Sequence, residues 1–138
     1  MADSSVANRY WRSSSFGRSP GLEDWRLLMV EDEVIIAFSL GCEIEDAGGK
    51  VIGPAYTIDD ARRLLDEPID VAILDINLNG RSVWQIARPL HERGVLSVLA
   101  SANYDDRRTI DPPYADVPCF DKPATMLALI ATVAELAA

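Results

Sequence analysis

Short apolar runs alternate with helical patterns along most of the chain. Leu27 to Val30 and Val71 to Leu74 are continuous apolar runs, and Val95 to Ala100 is a further one broken only by Ser97, as expected of strands buried on both faces of a parallel sheet. Lys50 to Ala55 and Val117 to Phe120 are short strands, and each contains a proline, Pro54 or Pro118, which suits a sheet edge or a strand end. After the first strand the period changes. Ile36, Leu40, Ile44 and Ala47 fall on one helical face from Val34 until Gly48-Gly49 stops the helix. Thr57 is placed to cap a second helix over Ile58 to Asp66, with Ala61, Leu64 and Leu65 as its buried face and Pro68 after it. Ser82 to Arg93 reads as a third helix, with Pro89 inside it to kink it or mark its true start, and Gly94 ending it. Tyr104 to Asp116 is polar and contains Pro112-Pro113, which confines any helix there to Asp105 to Ile110. Ala124 to Ala138 closes the chain as an apolar helix with Pro123 in its first turn.

Five strands alternating with helices predict an α/β domain, a doubly wound parallel sheet with right-handed crossovers. The prolines mark strands two and five as edges, which is consistent with the doubly wound order 2-1-3-4-5. Residues 26–138 are assigned to this domain. Residues 1–25 are assigned to a disordered or loosely docked arm, because they are rich in serine, carry Arg9, Arg12 and Arg18, and lack apolar periodicity. Tyr10, Trp11, Phe16 and Trp25 are more aromatic than a linker requires.

Composition narrows the class. A chain of 138 residues is one domain's worth, able to bury about two-thirds of its unfolded surface. The formal net charge of -9 argues against nucleic acid or an anionic membrane as a partner. No apolar stretch approaches the roughly 20 residues of a membrane span, and the first residues lack a secretory apolar core, so a cytoplasmic protein is expected. Cys42 and Cys119 have no metal or redox spacing and are expected to be small buried hydrophobes.

The chemistry lies at the strand ends. In an open parallel sheet ligands collect outside the carboxyl ends of the strands. That rim would gather Glu31 and Asp32 from strand one, Asp75 from strand three, Ser101 from strand four and Lys122 from strand five. Clustered carboxylates repel one another unless a cation sits among them. Mg²⁺ fits, since it takes oxygen ligands and needs only one or two carboxylates beside water and substrate phosphate. Lys122 suits a phosphoryl oxygen as a compact charge, and the Ser101 hydroxyl can donate to another. Together these residues make an acceptor site in which an Asp75 oxygen attacks a phosphoryl group in line.

The segments Met-Val-Glu-Asp-Glu (29–33), Ile-Leu-Asp-Ile-Asn-Leu-Asn-Gly (73–80), Ala-Ser-Ala (100–102) and Phe-Asp-Lys-Pro (120–123) resemble the receiver domains of two-component response regulators. They look most like stand-alone receivers of alphaproteobacterial type. The resemblance covers about residues 26–138 and implies a flavodoxin-like receiver fold. It implies that Asp75 is the phosphoacceptor and Asp32 a direct Mg²⁺ ligand, that Glu31 acts through water and that the Asn77 backbone carbonyl completes the shell. Ser101 would be the switch hydroxyl, and the Lys122-Pro123 bond a candidate cis bond. The phosphodonor would be a histidine kinase or phosphotransfer protein. The expected role is a single-domain phosphorelay component that signals through phosphorylation-dependent protein binding or drains phosphate. It would not be an enzyme beyond handling its own aspartyl phosphate.

The chain departs from the family pattern in two places. Asn103 stands where the switch aromatic usually lies, with Tyr104 one place later, and Pro112-Pro113 breaks the fourth helix. A pseudo-receiver serving as a constitutive interaction module is therefore the alternative. A haloacid-type phosphatase would want a second carboxylate where Asn77 stands. Asn77 and Asn103 are expected to flank the route of a hydrolytic water. His91 is read as solvated or packing, the pair Arg107 and Arg108 as part of a solvated charged face, and Met126, Leu129, Ile130 and Val133 as core. Leu127, Leu136 and the alanines of the last helix make it a candidate homodimer surface.

Overall fold

The computed structural model describes residues 22–78, 80–101, 110, 119–121, 131 and 135. Its elements in order are β1 (Arg26–Val30), α1 (Val34–Asp46), β2 (Lys50–Ala55), α2 (Ile58–Leu64), β3 (Val71–Asp75), β4 (Asn77–Leu78), β5 (Arg81–Ser82), α3 (Trp84–Glu92), β6 (Leu96–Ser101) and β7 (Cys119–Asp121). The main sheet has the order β2-β1-β3-β6-β7, and every pairing in it is parallel. The predicted architecture, a parallel α/β sheet with flanking helices, is present.

All five residues of β3 are buried, which explains the unbroken apolar run that ends in Asp75. Its neighbours carry two separate cores, one on each face. Alternate residues Leu28 and Val30 of β1, with Ala72 and Leu74 of β3, pack against Ile58 and Ala61 of α2 and Trp84, Ile86, Ala87 and Leu90 of α3. Leu27, Met29, Val71 and Ile73 face the other way, against Ala37, Leu40, Ile44 and Ala47. The period of two along each strand thus divides one apolar run between two layers.

The helix signals operate locally as read. Thr57 caps α2, its hydroxyl accepting from the Asp60 amide at 3.0 Å. Gly48 has φ +94, the left-handed conformation that ends a helix cheaply. α3 runs from Trp84 through Pro89, so Pro89 does not mark its start. Ser82 belongs to β5 rather than to that helix, and its Oγ accepts from the Trp84 amide at 3.3 Å.

Three expectations are corrected. Leu22 to Trp25 were assigned to the arm, yet Leu22 is fully buried against the second core and Trp25 packs beside it. The Leu22 amide donates to the Ala47 carbonyl and the Lys50 amide to the Trp25 carbonyl, which stitches this segment to the end of α1. The apolar face of α1 uses Ala37 where Ile36 was expected, and Ile36 is only half-buried. Nearly every residue in the first turns of α1 is apolar, so periodicity alone could not choose the face. Cys42 is exposed rather than buried, and Cys119 is half-buried.

Residues 1–21, Asn103 and Tyr104, the Pro112-Pro113 segment, Lys122 and Pro123 lie outside the described residues, as does most of the last helix. Ala131 and Glu135 are helical, and Ala131 packs on the second core. Among the described residues no helix is long and apolar enough to cross a membrane.

Candidate functional site

Strand register brings the acidic residues together. β1 pairs with β3 as Val30↔Leu74, so Glu31 and Asp75 are the next residues on adjacent parallel strands, level with one another. Both are buried, Glu31 at 3% and Asp75 at 2% exposure. Asp32 follows on the turn into α1 and is half-buried. One carboxylate oxygen from each of Glu31, Asp32 and Asp75 lies within 4.8 Å of the others. A cluster that the sequence assembled from two strand ends is therefore a physical group.

Backbone hydrogen bonds hold these side chains in place. The Glu33 amide donates to Glu31 Oε2 at 2.9 Å, folding the acidic turn over itself ahead of α1. The Glu31 amide donates to the Ala55 carbonyl at 2.9 Å, which ties the turn to the end of β2. On the other side the Asn77 amide donates to Asp75 Oδ1 at 3.2 Å, an Asx-type bond. The Ile76 amide donates to the Ala100 carbonyl at 3.0 Å, so the chain leaving Asp75 stays anchored to β6.

Beyond Ile76 the chain turns through the antiparallel ribbon of β4 and β5, pairing Asn77↔Ser82 and Leu78↔Arg81. Gly80 has φ +79 in that turn, a conformation suited to glycine. The ribbon was not expected from the sequence, although Asn79-Gly80 is a hairpin signal. Asn77 is exposed at its base, beside Asp75. Ser101, fully buried, ends β6 one residue past the Asp75↔Ala100 pair and is in register with Asp121 of β7. Lys122 falls outside the described residues.

The donor set can be tested against a metal ion by its chemistry. It consists of oxygen atoms, and it concentrates negative charge where two of the three carboxylates are withdrawn from water. Hard divalent cations such as Mg²⁺ prefer such oxygen-only sets, and softer metals do not. The three carboxylates therefore fit a hard divalent ion such as Mg²⁺.

No known family model matches the chain, and no curated protein is similar to it. Solved structures are. The chain resembles SdrG from Sphingomonas melonis Fr1, with 33% identity over 83% of this chain and 98% of that one and a TM-score of 0.67. It is 34% identical to SdrG from Pseudomonas melonis Fr1 in its BeF3-activated conformation, over 82% of this chain and 96% of that one, TM-score 0.65. It is also similar to a response regulator receiver protein from Sinorhizobium medicae WSM419, with 26% identity over 83% and 95% and a TM-score of 0.70. The chain belongs to the receiver domains of response regulators.

Proposed function

We propose that the protein is a stand-alone receiver that accepts a phosphoryl group on Asp75 and passes on the signal by binding a protein partner according to its phosphorylation state. The observation that carries this reading is the position of Asp75. It is a buried carboxylate at the end of a central strand, with one oxygen oriented by the Asn77 amide and two further carboxylates within 4.8 Å. A buried acid cluster with no chemical role would be a costly arrangement, since each charge opposes the others and all lose hydration.

In the proposed step an Asp75 oxygen attacks phosphorus in line. The new P–O bond forms as the bond to the donor breaks, P–N for a phosphohistidine, and the leaving group departs with that electron pair. A bound Mg²⁺ would supply neutralisation of the charge on the phosphoryl oxygens. Asp32 and Asp75 would hold the ion, Glu31 would orient water on it, and the Asn77 carbonyl would complete the shell. Lys122 would balance a second phosphoryl oxygen, and the Ser101 hydroxyl would donate to a third, drawing the end of β6 inward. Phosphorylation adds about -1.5 to -2 of charge at that point, enough to move a nearby loop. The protein turns over no free substrate in this reading. Its donor would be a histidine kinase or phosphotransfer protein. A relative with a BeF3-activated conformation supports a site of this kind.

Intact mass spectrometry with Mg²⁺ and acetyl phosphate tests it. The expected result is one phosphoryl adduct on the wild type, absent in Asp75→Ala and in EDTA. A folded, Mg²⁺-binding protein that gains no adduct from acetyl phosphate or from any histidine kinase tried would leave an interaction module without acceptor chemistry.

A further inference from the structure

A groove on the α1 side of the molecule begins at Val34, next to the acidic turn, but none of the three carboxylates lines it. It runs between α1 and the edge strand β2, encloses a cavity of about 290 Å³, and is lined among others by Phe38, Cys42, Glu45, Val51, Pro54 and Tyr56. Its helix wall continues into a row of exposed apolar side chains. Val34 is 61% exposed, Ile35 81% and Phe38 72%. At spacings of three and four residues, Val34 or Ile35, Phe38, Cys42 and Glu45 form one stripe, turned away from the core face of Ala37, Leu40 and Ile44. An apolar stripe of this kind on an otherwise strongly acidic surface marks a contact site.

We propose that the occupant is the chain's own N-terminal arm, with the segment Arg9 to Arg18 lying along this groove. Three observations on the molecule select it. First, the described chain begins at the right place: Leu22 is buried and its amide is bonded to the Ala47 carbonyl, at the far end of α1, where Glu45 lines the groove. Second, the length suffices. From Leu22, Phe16 can reach about 20 Å and Trp11 about 36 Å when extended, whereas α1 from Ala47 back to Val34 is about 20 Å long. Third, the chemistry is complementary. Tyr10, Trp11 and Phe16 offer aromatic surface to an apolar groove, and Arg9, Arg12 and Arg18 flank them. Residues 1–21 carry three arginines and one acid, while α1 carries Glu43, Glu45 and Asp46 and no basic residue.

A second copy is a poorer occupant. Self-association would bring together two chains of formal net charge -9 each, whereas a tethered arm meets the groove at an effective concentration in the millimolar range.

Cys42, inside the groove, reports its occupancy. The rate of alkylation by N-ethylmaleimide is measured at Cys42 and Cys119 separately, by peptide mass mapping, on the full chain and on a full-chain variant carrying Tyr10→Ala, Trp11→Ala and Phe16→Ala. Circular dichroism and thermal melts establish that both are folded alike. The expected result is that Cys42 reacts about fivefold faster in the variant, the protection given by millimolar effective concentration and an intrinsic affinity of a few hundred micromolar. The Cys119 rate should not change, and protection in the wild type should persist on dilution. Equal Cys42 rates in the two proteins overturn the proposal. So does protection that disappears on dilution, which would identify a second copy in the groove.

Discussion

The Asn77 amide donates to Oδ1 of Asp75 at 3.2 Å, so the residue two places after the strand orients the carboxylate that ends it. An asparagine at position 75 keeps that acceptor and removes one charge from three. Asp75→Asn should therefore lose the phosphoryl adduct and, in EDTA, gain stability on the order of 1 kcal/mol. Urea denaturation with an unchanged m-value checks it. A loss of stability would mean that the charge of Asp75 is needed by the fold itself.

Mg²⁺ bound only by the folded cluster must stabilise the fold. At about 100 times its dissociation constant the ion should add about 2.7 kcal/mol, seen as a higher melting temperature in MgCl₂ than in EDTA at matched ionic strength. Asp32 is half-buried on the turn, so Asp32→Asn should fold and should lose most of that increment. Equal increments in the two proteins would exclude Asp32 as a ligand.

Gly53 has φ +105, and a Cβ there would come 2.7 Å from the Ala55 amide nitrogen and 3.1 Å from the Met29 carbonyl oxygen. These are backbone atoms at the irregular step of the β1–β2 pairing, between Leu28 and Val30, and they cannot swing aside. Gly53→Ala should cost about 2–3 kcal/mol, measured by chemical denaturation. A cost below half a kilocalorie would show that β2 can shift to relieve the contact.

Leu22 fills a fully buried position under Gly49 and Ile44. Leu22→Ala should cost about 3 kcal/mol through lost burial and the cavity left behind. A chain begun at residue 26 should be destabilised by at least as much. If Leu22→Ala melts like the wild type, the domain starts where the sequence reading put it.

The Thr57 hydroxyl accepts from the Asp60 amide at 3.0 Å. Thr57→Ala should cost about 1 kcal/mol and leave the phosphoryl adduct of the wild type intact, since α2 contributes no residue to the acidic cluster. Loss of the adduct in a folded Thr57→Ala protein would show that α2 and the pocket are coupled.

These residues differ in how far the sequence could foretell them. The cluster around Asp75 was legible because acids follow two apolar strand runs that a parallel sheet brings to one rim, although a lone acid after a strand serves equally well as a turn residue. Thr57 was legible because capping is a local matter of one side chain and one amide. Leu22 was not legible, since one leucine in a serine- and glycine-rich stretch has no period around it. Only the return of α1 past that point gives it a core to enter. The ribbon after Asp75 had its turn signal, but two-residue strands are too short to show alternation.

What the sequence by itself determined is the main strands and helices among the described residues and the acidic residues that follow the strands. Apolar runs of strand length, helical stripes and capping residues depend on neighbours within one or two turns, and those neighbours are in the sequence. Tertiary structure decided which of the two faces each apolar residue serves, and here the outcome is uneven. Ala37 rather than Ile36 enters the core beneath α1, and Val34, Ile35 and Phe38 are left outside it. It also decided the distances. Glu31 and Asp75 are 44 positions apart in sequence, and only the parallel register Val30↔Leu74 makes them level. Register is a property of two strands and the helix that connects them, so no single stretch of sequence contains it.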